Sequence, residues 1–318
     1  MPEEEGEENL MRRLSSALLA ALITVVSASA CGGTSALPSG NPTDTYTVLT
    51  TTGVFADLAQ LALGSNATIQ SIVPAGVDVH TFQPSPAAAE KIRAADLILL
   101  NGLGLDTWVS SLLEAGGKTQ RDTLVLGEGL DQMSNWVYLK SGEGSGGVDP
   151  HVWMDPKGAE LYVQRIADRV SLERPALASA IAAQSAASIK KIQALDASIA
   201  GAFSALDPAR RKIVTLHDAF AYFARAYGIE IVGVVIASPG QDPSAQEIRA
   251  LIDAIRSAGV TALFSERQLP SKVLNQIAAE TGATVLQNLY SDALGMSPAD
   301  SYLGAMKANA DEILGALQ

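Results

Sequence analysis

The chain of 318 residues is poor in the residue types that most often carry chemistry. It has one cysteine, three histidines and only 5% aromatic residues. A lone cysteine excludes an intrachain disulfide, so apolar burial by the 47% hydrophobic residues must hold any fold. Basic residues number 22 against 34 acids, a formal net charge of −12. No basic stripe appears, which argues against a nucleic-acid partner; an acidic surface suits cations, although acidity alone says little. Neither an HExxH nor a GxSxG motif occurs, so those zinc-protease and hydrolase signatures are absent. No repeat of 20–50 residues is visible.

Long apolar runs are also scarce. The one at the N-terminus, within RRLSSALLAALITVVSASAC (12–31), falls short of the ~20 residues that span a bilayer. Arg12 and Arg13 before it and Ala28-Ser29-Ala30 after it fit a secretory signal peptide, with Met11 a more natural start than Met1. Cys31 directly follows and resembles the lipidated cysteine of a bacterial lipobox, although Ala28 stands where Leu or Val is usual. Cleavage after Ala30 without lipidation is the alternative. The expected organisation is a signal and lipobox over 1–31, a Gly/Ser/Pro/Thr tether over 32–45, an N-terminal lobe over 46–156, a helical connector over 157–206 and a C-terminal lobe over 207–318.

Strand-like and helix-like segments alternate in both lobes. Strands are expected at YTVLTT (46–51), TIQSIV (68–73), DLILLN (96–101) and TLVLG (123–127), then at KIVTL (212–216), EIVGVVI (230–236), TALF (261–264) and TVLQN (284–288). Helical patterns lie between them, at 53–64, 85–95, 108–116, 218–228, 244–259 and 271–282. This grammar predicts an α/β fold of two parallel-sheet lobes. The alanine-rich stretch 176–206 reads as one long connector helix running the length of both lobes, in preference to a helical hairpin packed on one of them. SGEGSGG (141–147) reads as a mobile surface loop.

The scarce histidines all fall beyond strand ends. His80 sits in GVDVHTFQPSP, His151 in VDPHVWMDP and His217 in TLHDAF; Asp292 follows the last strand in LYSDALG. Ligands of open α/β sheets bind at that edge. Three imidazoles and a carboxylate make a ligand set for a transition metal, zinc above all and also manganese, iron or nickel. Each histidine taken singly also reads as an ordinary hydrogen-bonded loop residue.

These segments resemble the cluster A-I metal-binding lipoproteins, the TroA- and ZnuA-type substrate-binding components of zinc and manganese ABC importers. GVDVHTFQPSP is similar to that family's first histidine motif, NGLGLDTWV (101–109) to its N-G-x-G segment, and DPHVWMDP (149–156) to its D-P-H-x-W-x-D-P motif. HDAFAYFARAYG (217–228) and SDALG (291–295) resemble the last two. The match runs over 46–316, with Val79 in place of Pro and Asp106 in place of Glu. It implies two lobes joined by a long helix, as in class III-type periplasmic binding proteins, and metal ligands His80, His151, His217 and Asp292. It also implies an exported monomer, held to the membrane through Cys31, that delivers its cargo to a transporter permease.

Asp149 and Asp155 flank His151 and read equally as tautomer-fixing acids and as turn residues beside proline. Glu266, at a strand end, could approach the site without being a ligand. A histidine as third ligand leans towards Zn2+; Mn2+ is the alternative. A zinc-dependent hydrolase would need an open coordination position, which a fourth protein ligand would close. A surface-adhesin role is a further class that the sequence leaves open. Release is expected to depend on loop movements, possible among them the loop before Asp149, with the long helix limiting lobe closure.

Overall fold

A computed structural model describes residues 45–141 and 147–318. The signal segment, Cys31, residues 32–44 of the tether and residues 142–146 of SGEGSGG lie outside the described residues. No helix among the described residues is long and apolar enough to cross a membrane.

The first sheet contains β1 (Thr47–Thr50), β2 (Thr68–Ser71), β3 (Leu97–Leu100) and β4 (Thr123–Val125), all parallel, in the order β2-β1-β3-β4. The second repeats the pattern with β5 (Lys212–His217), β6 (Glu230–Ile236), β7 (Ala262–Glu266) and β8 (Thr284–Leu289), in the order β6-β5-β7-β8. In each, the strand order reverses between the first and third strands. The crevice above that pair is the natural binding position of an open parallel sheet.

Helices cover both faces. In the first lobe these are α1 (Gly53–Leu63), α2 (Pro86–Ala94), α3 (Val109–Ala115) and the single turn α4 (Leu130–Met133). In the second they are α7 (Ala221–Tyr227), α8 (Ala245–Ala258), α9 (Lys272–Thr281) and α10 (Tyr302–Leu317). α2 begins on Pro86, where a missing N–H costs nothing, and α8 carries a complete capping box of Ser244 and Glu247. α10 is not among the helices expected from sequence.

The connector contains two helices, α5 (Pro156–Glu173) and α6 (Ala178–Ser204), divided at Arg174-Pro175. The two pack on each other. The longer, α6, also lies against α1 of the first lobe and α7 and α10 of the second. At 1.5 Å per residue its 27 residues reach about 40 Å. The long helix therefore spans both lobes, as expected, and it packs along α5. One core links the lobes through these helices: Phe55, Trp153, Tyr162, Ile192, Phe203, Phe223 and Tyr302 belong to a single buried cluster. Two smaller clusters fill the outer sides, under α2 and α3 and under α8 and α9.

Candidate metal centre

His217 is the last residue of β5 and Glu266 the last of β7, the two strands flanking the reversal in the second sheet. Asp292 follows β8. His80 lies in the loop between β2 and α2. His151 opens a single 3-10 turn, Val152–Met154, that runs into α5. The sequence thus delivers all four expected ligands to one place. One ligand atom from each of His80, His151, His217 and Asp292 lies within 4.8 Å of every other.

The His151 loop is anchored at the reversal of the first sheet. Asp106 accepts hydrogen bonds from the Thr51 hydroxyl (2.9 Å) and the amides of Asn101 (2.7 Å) and Gly102 (3.0 Å), tying the end of β1 to the end of β3. Burial pushes its carboxyl above the usual range, against the pull of those donors. Asn101 donates through Nδ2 to the Pro150 carbonyl (3.0 Å) and accepts from Tyr162 (2.7 Å). On the other side, the Trp153 indole donates to the Ser291 carbonyl (3.1 Å), and Tyr302 of α10 donates to the Trp153 carbonyl (2.9 Å). The loop of one lobe is therefore fastened directly beside Asp292 of the other.

Within the cluster, His80 Nε2 is 3.5 Å from Asp292 Oδ2, His151 Nε2 is 3.4 Å from Oδ1, and His217 Nδ1 is 3.6 Å from Oδ2. The three rings stand 5.0–5.9 Å apart, centre to centre. The side chains of His151 and His217 are fully buried, Asp292 is 1% exposed and His80 6%. Asp292 Oδ1 is a buried acceptor whose near neighbour is His151 Nε2, at 3.4 Å. Such an oxygen is costly unless a cation or donor meets it.

The flanking acids divide. Asp149 Oδ1 lies 2.8 Å from His151 Nδ1 and accepts from the His151 amide (2.9 Å). That contact favours the Nδ1–H tautomer and turns Nε2 towards Asp292. Glu266 Oε1 lies 3.1 Å from His217 Nδ1, the same ring nitrogen that stands 3.6 Å from Asp292 Oδ2. Asp155 touches neither ring: it caps α5 by accepting from Lys157 N (3.0 Å) and pairs with Arg225 at 2.9 Å. Of its two readings, the structural one fits its contacts.

The electrostatics favour positive charge at this point. Burial disfavours protonation of His151, but the charge of Asp292 and the hydrogen bond to Asp149 outweigh it and hold the imidazole well above its ordinary pKa. Burial likewise opposes ionisation of Asp292, yet His151 and His80 hold its carboxyl well below the usual carboxylate range. A dry cluster of three imidazoles with a carboxylate can stabilise a divalent cation there. Two contributors were not read from the sequence, Asn101 and Ser291. Asn101 sits in the NGLGLDTWV motif, so its place at a strand end was visible. Ser291 carried no signal beyond standing next to Asp292.

Known proteins resemble this chain in fold and sequence. The family model described as "Zinc-uptake complex component A periplasmic" matches residues 48–316. The "Iron-binding protein YfeA" of Yersinia pestis is 32% identical over 96% of this chain and 98% of its own. The "Metal ABC transporter substrate-binding lipoprotein FimA" of Streptococcus parasanguinis is 28% identical over 95% and 98%. Among solved structures, the periplasmic zinc-binding protein TroA of Treponema pallidum superimposes with a TM-score of 0.77 at 27% identity, covering 86% of this chain and 99% of that one. The chain belongs to the ZnuA family of metal-binding substrate-binding proteins of ABC transporters.

Proposed function

We propose that His80, His151, His217 and Asp292 together capture one divalent transition cation, with zinc as the preferred cargo, and that the protein hands it to a membrane permease. The observation that supports this is the convergence of four buried ligand atoms, drawn from both lobes, within 4.8 Å of one another. Three neutral imidazoles and one carboxylate suit zinc better than the harder manganese. The relatives' names leave the cation open, since one names iron and another zinc. Four protein ligands close the coordination shell, as a carrier needs and a hydrolase does not. Attachment through Cys31 and action as a monomer belong to the same reading. The role of Asp149 and Glu266 in it is to orient His151 and His217.

The test is the metal content of protein purified without chelator, followed by titration with Zn2+ against Mn2+. One equivalent of tightly held zinc is expected, with binding lost in His151→Ala. A His151→Ala variant that bound one metal with unchanged affinity would sink the ligand assignment.

A further inference from the structure

Both oxygens of Asp292 face imidazoles at similar distances, 3.4 Å from His151 Nε2 to Oδ1 and 3.5 Å from His80 Nε2 to Oδ2. Geometry alone therefore permits ligation through one oxygen or through two. What distinguishes the oxygens is the neighbouring hydroxyl. Ser291 Oγ donates to Oδ2 at 3.0 Å, while Oδ1 faces the His151 ring nitrogen at 3.4 Å and is not reached by that hydroxyl. The same hydroxyl lies 3.3 Å from Glu266 Oε1, which already faces His217 Nδ1. A serine has one proton to give. The contact to Asp292 is the shorter of the two, and Glu266 Oε1 has the ring N–H at hand. Ser291 is buried, with 3% exposure.

We propose that Ser291 is a specificity-determining residue: its hydroxyl engages Oδ2 of Asp292, restrains the carboxylate to single-oxygen ligation, and so favours a four-coordinate cation over one that needs more ligands. Zinc is satisfied by four ligands in a tetrahedron, whereas manganese draws on additional oxygens. With the hydroxyl removed, Oδ2 becomes available as a fifth ligand atom with no movement of the backbone. The proposal rests on the metal-capture reading above. It adds a residue that is not itself a ligand and whose effect falls on the choice of metal.

The experiment uses the full chain with Zn2+, Mn2+ and Co2+ as probes, in the wild type, Ser291→Ala and Ser291→Thr. In the wild type, bound Co2+ should give the intense visible bands of a four-coordinate ion. In Ser291→Ala those bands should weaken, and manganese affinity relative to zinc should rise about tenfold, the scale on which groups behind a ligand act. Ser291→Thr keeps the donor and should restore the wild-type ratio. An unchanged ratio and unchanged cobalt bands in Ser291→Ala overturn the inference while leaving metal capture intact. So do weak, six-coordinate-type bands in the wild type, a result that needs no variant to fold. A wild-type chain that takes up no metal overturns the capture reading itself.

Discussion

At the scale of single residues, the proposed centre should depend on groups behind its ligands as much as on the ligands. Asp149→Asn keeps a side chain of the same shape but exchanges the charged acceptor facing His151 Nδ1 for an amide. We expect zinc affinity to fall about 10–100-fold with the stoichiometry unchanged, measured by competition against a chromophoric chelator. Glu266→Gln should act similarly through His217. Asp155→Asn, in contrast, should leave affinity nearly unchanged, because Asp155 contacts Arg225 and the start of α5 but no imidazole. The proposed ligands were legible because only three histidines exist and each lies at or beyond a strand end. The partition of the acids was not. Asp149 and Asp155 both neighbour prolines in one short motif, and only the turn at Val152–Met154 decides which of them faces the ring.

At the scale of elements, the placement of His151 depends on how closely α5 approaches the turn before it. Gly158, in the first turn of α5, allows that approach: a Cβ there would stand 2.3 Å from the Val152 carbonyl oxygen and 2.7 Å from its side chain. Gly158→Ala must push the helix and the turn apart. We expect a loss of about 1–3 kcal/mol in denaturant unfolding of the metal-free protein, as for other overpacked sites, together with weakened zinc binding. Unchanged zinc affinity despite the lost stability would contradict this coupling. Strand identity was largely readable, since β6 spans 230–236 as expected and the others differ by a few residues at their ends. The connector helix begins where the sequence places it, and one helix went unread. The connector contains α5 and α6 because Pro175 cannot continue a helix from Glu173. α10 went unread although its buried residues Met306, Ala310, Ile313 and Leu317 recur at helical spacing; small residues and two glycines dilute that pattern.

At the scale of the molecule, cargo binding should stabilise the fold, because the ligands come from segments brought together only in the native state. At a free zinc concentration 100 times the dissociation constant the gain is about 2.7 kcal/mol, visible as a higher Tm that a chelator reverses. How the cation leaves is a question of which parts can move. α6 runs against both lobes, and α10 crosses to α1, where the Tyr302 amide donates to Asp57 at 2.8 Å. The shared core containing Phe55, Phe203 and Tyr302 fills the space between the lobes, so a wide hinge opening would expose it at high cost. The loop between β2 and α2 is tied to that core through Val79. The segment 74–81 between β2 and α2 is largely exposed, and it carries His80, the ligand nearest to solvent. Departure should therefore begin at His80 with the lobes held in place. Hydrogen exchange with and without chelator separates the two possibilities. Metal removal should speed exchange in residues 74–85 and 290–299 while leaving α6 and β5 protected. Faster exchange along α6 as well would mean that the lobes themselves part, and the loop-limited mechanism would be wrong.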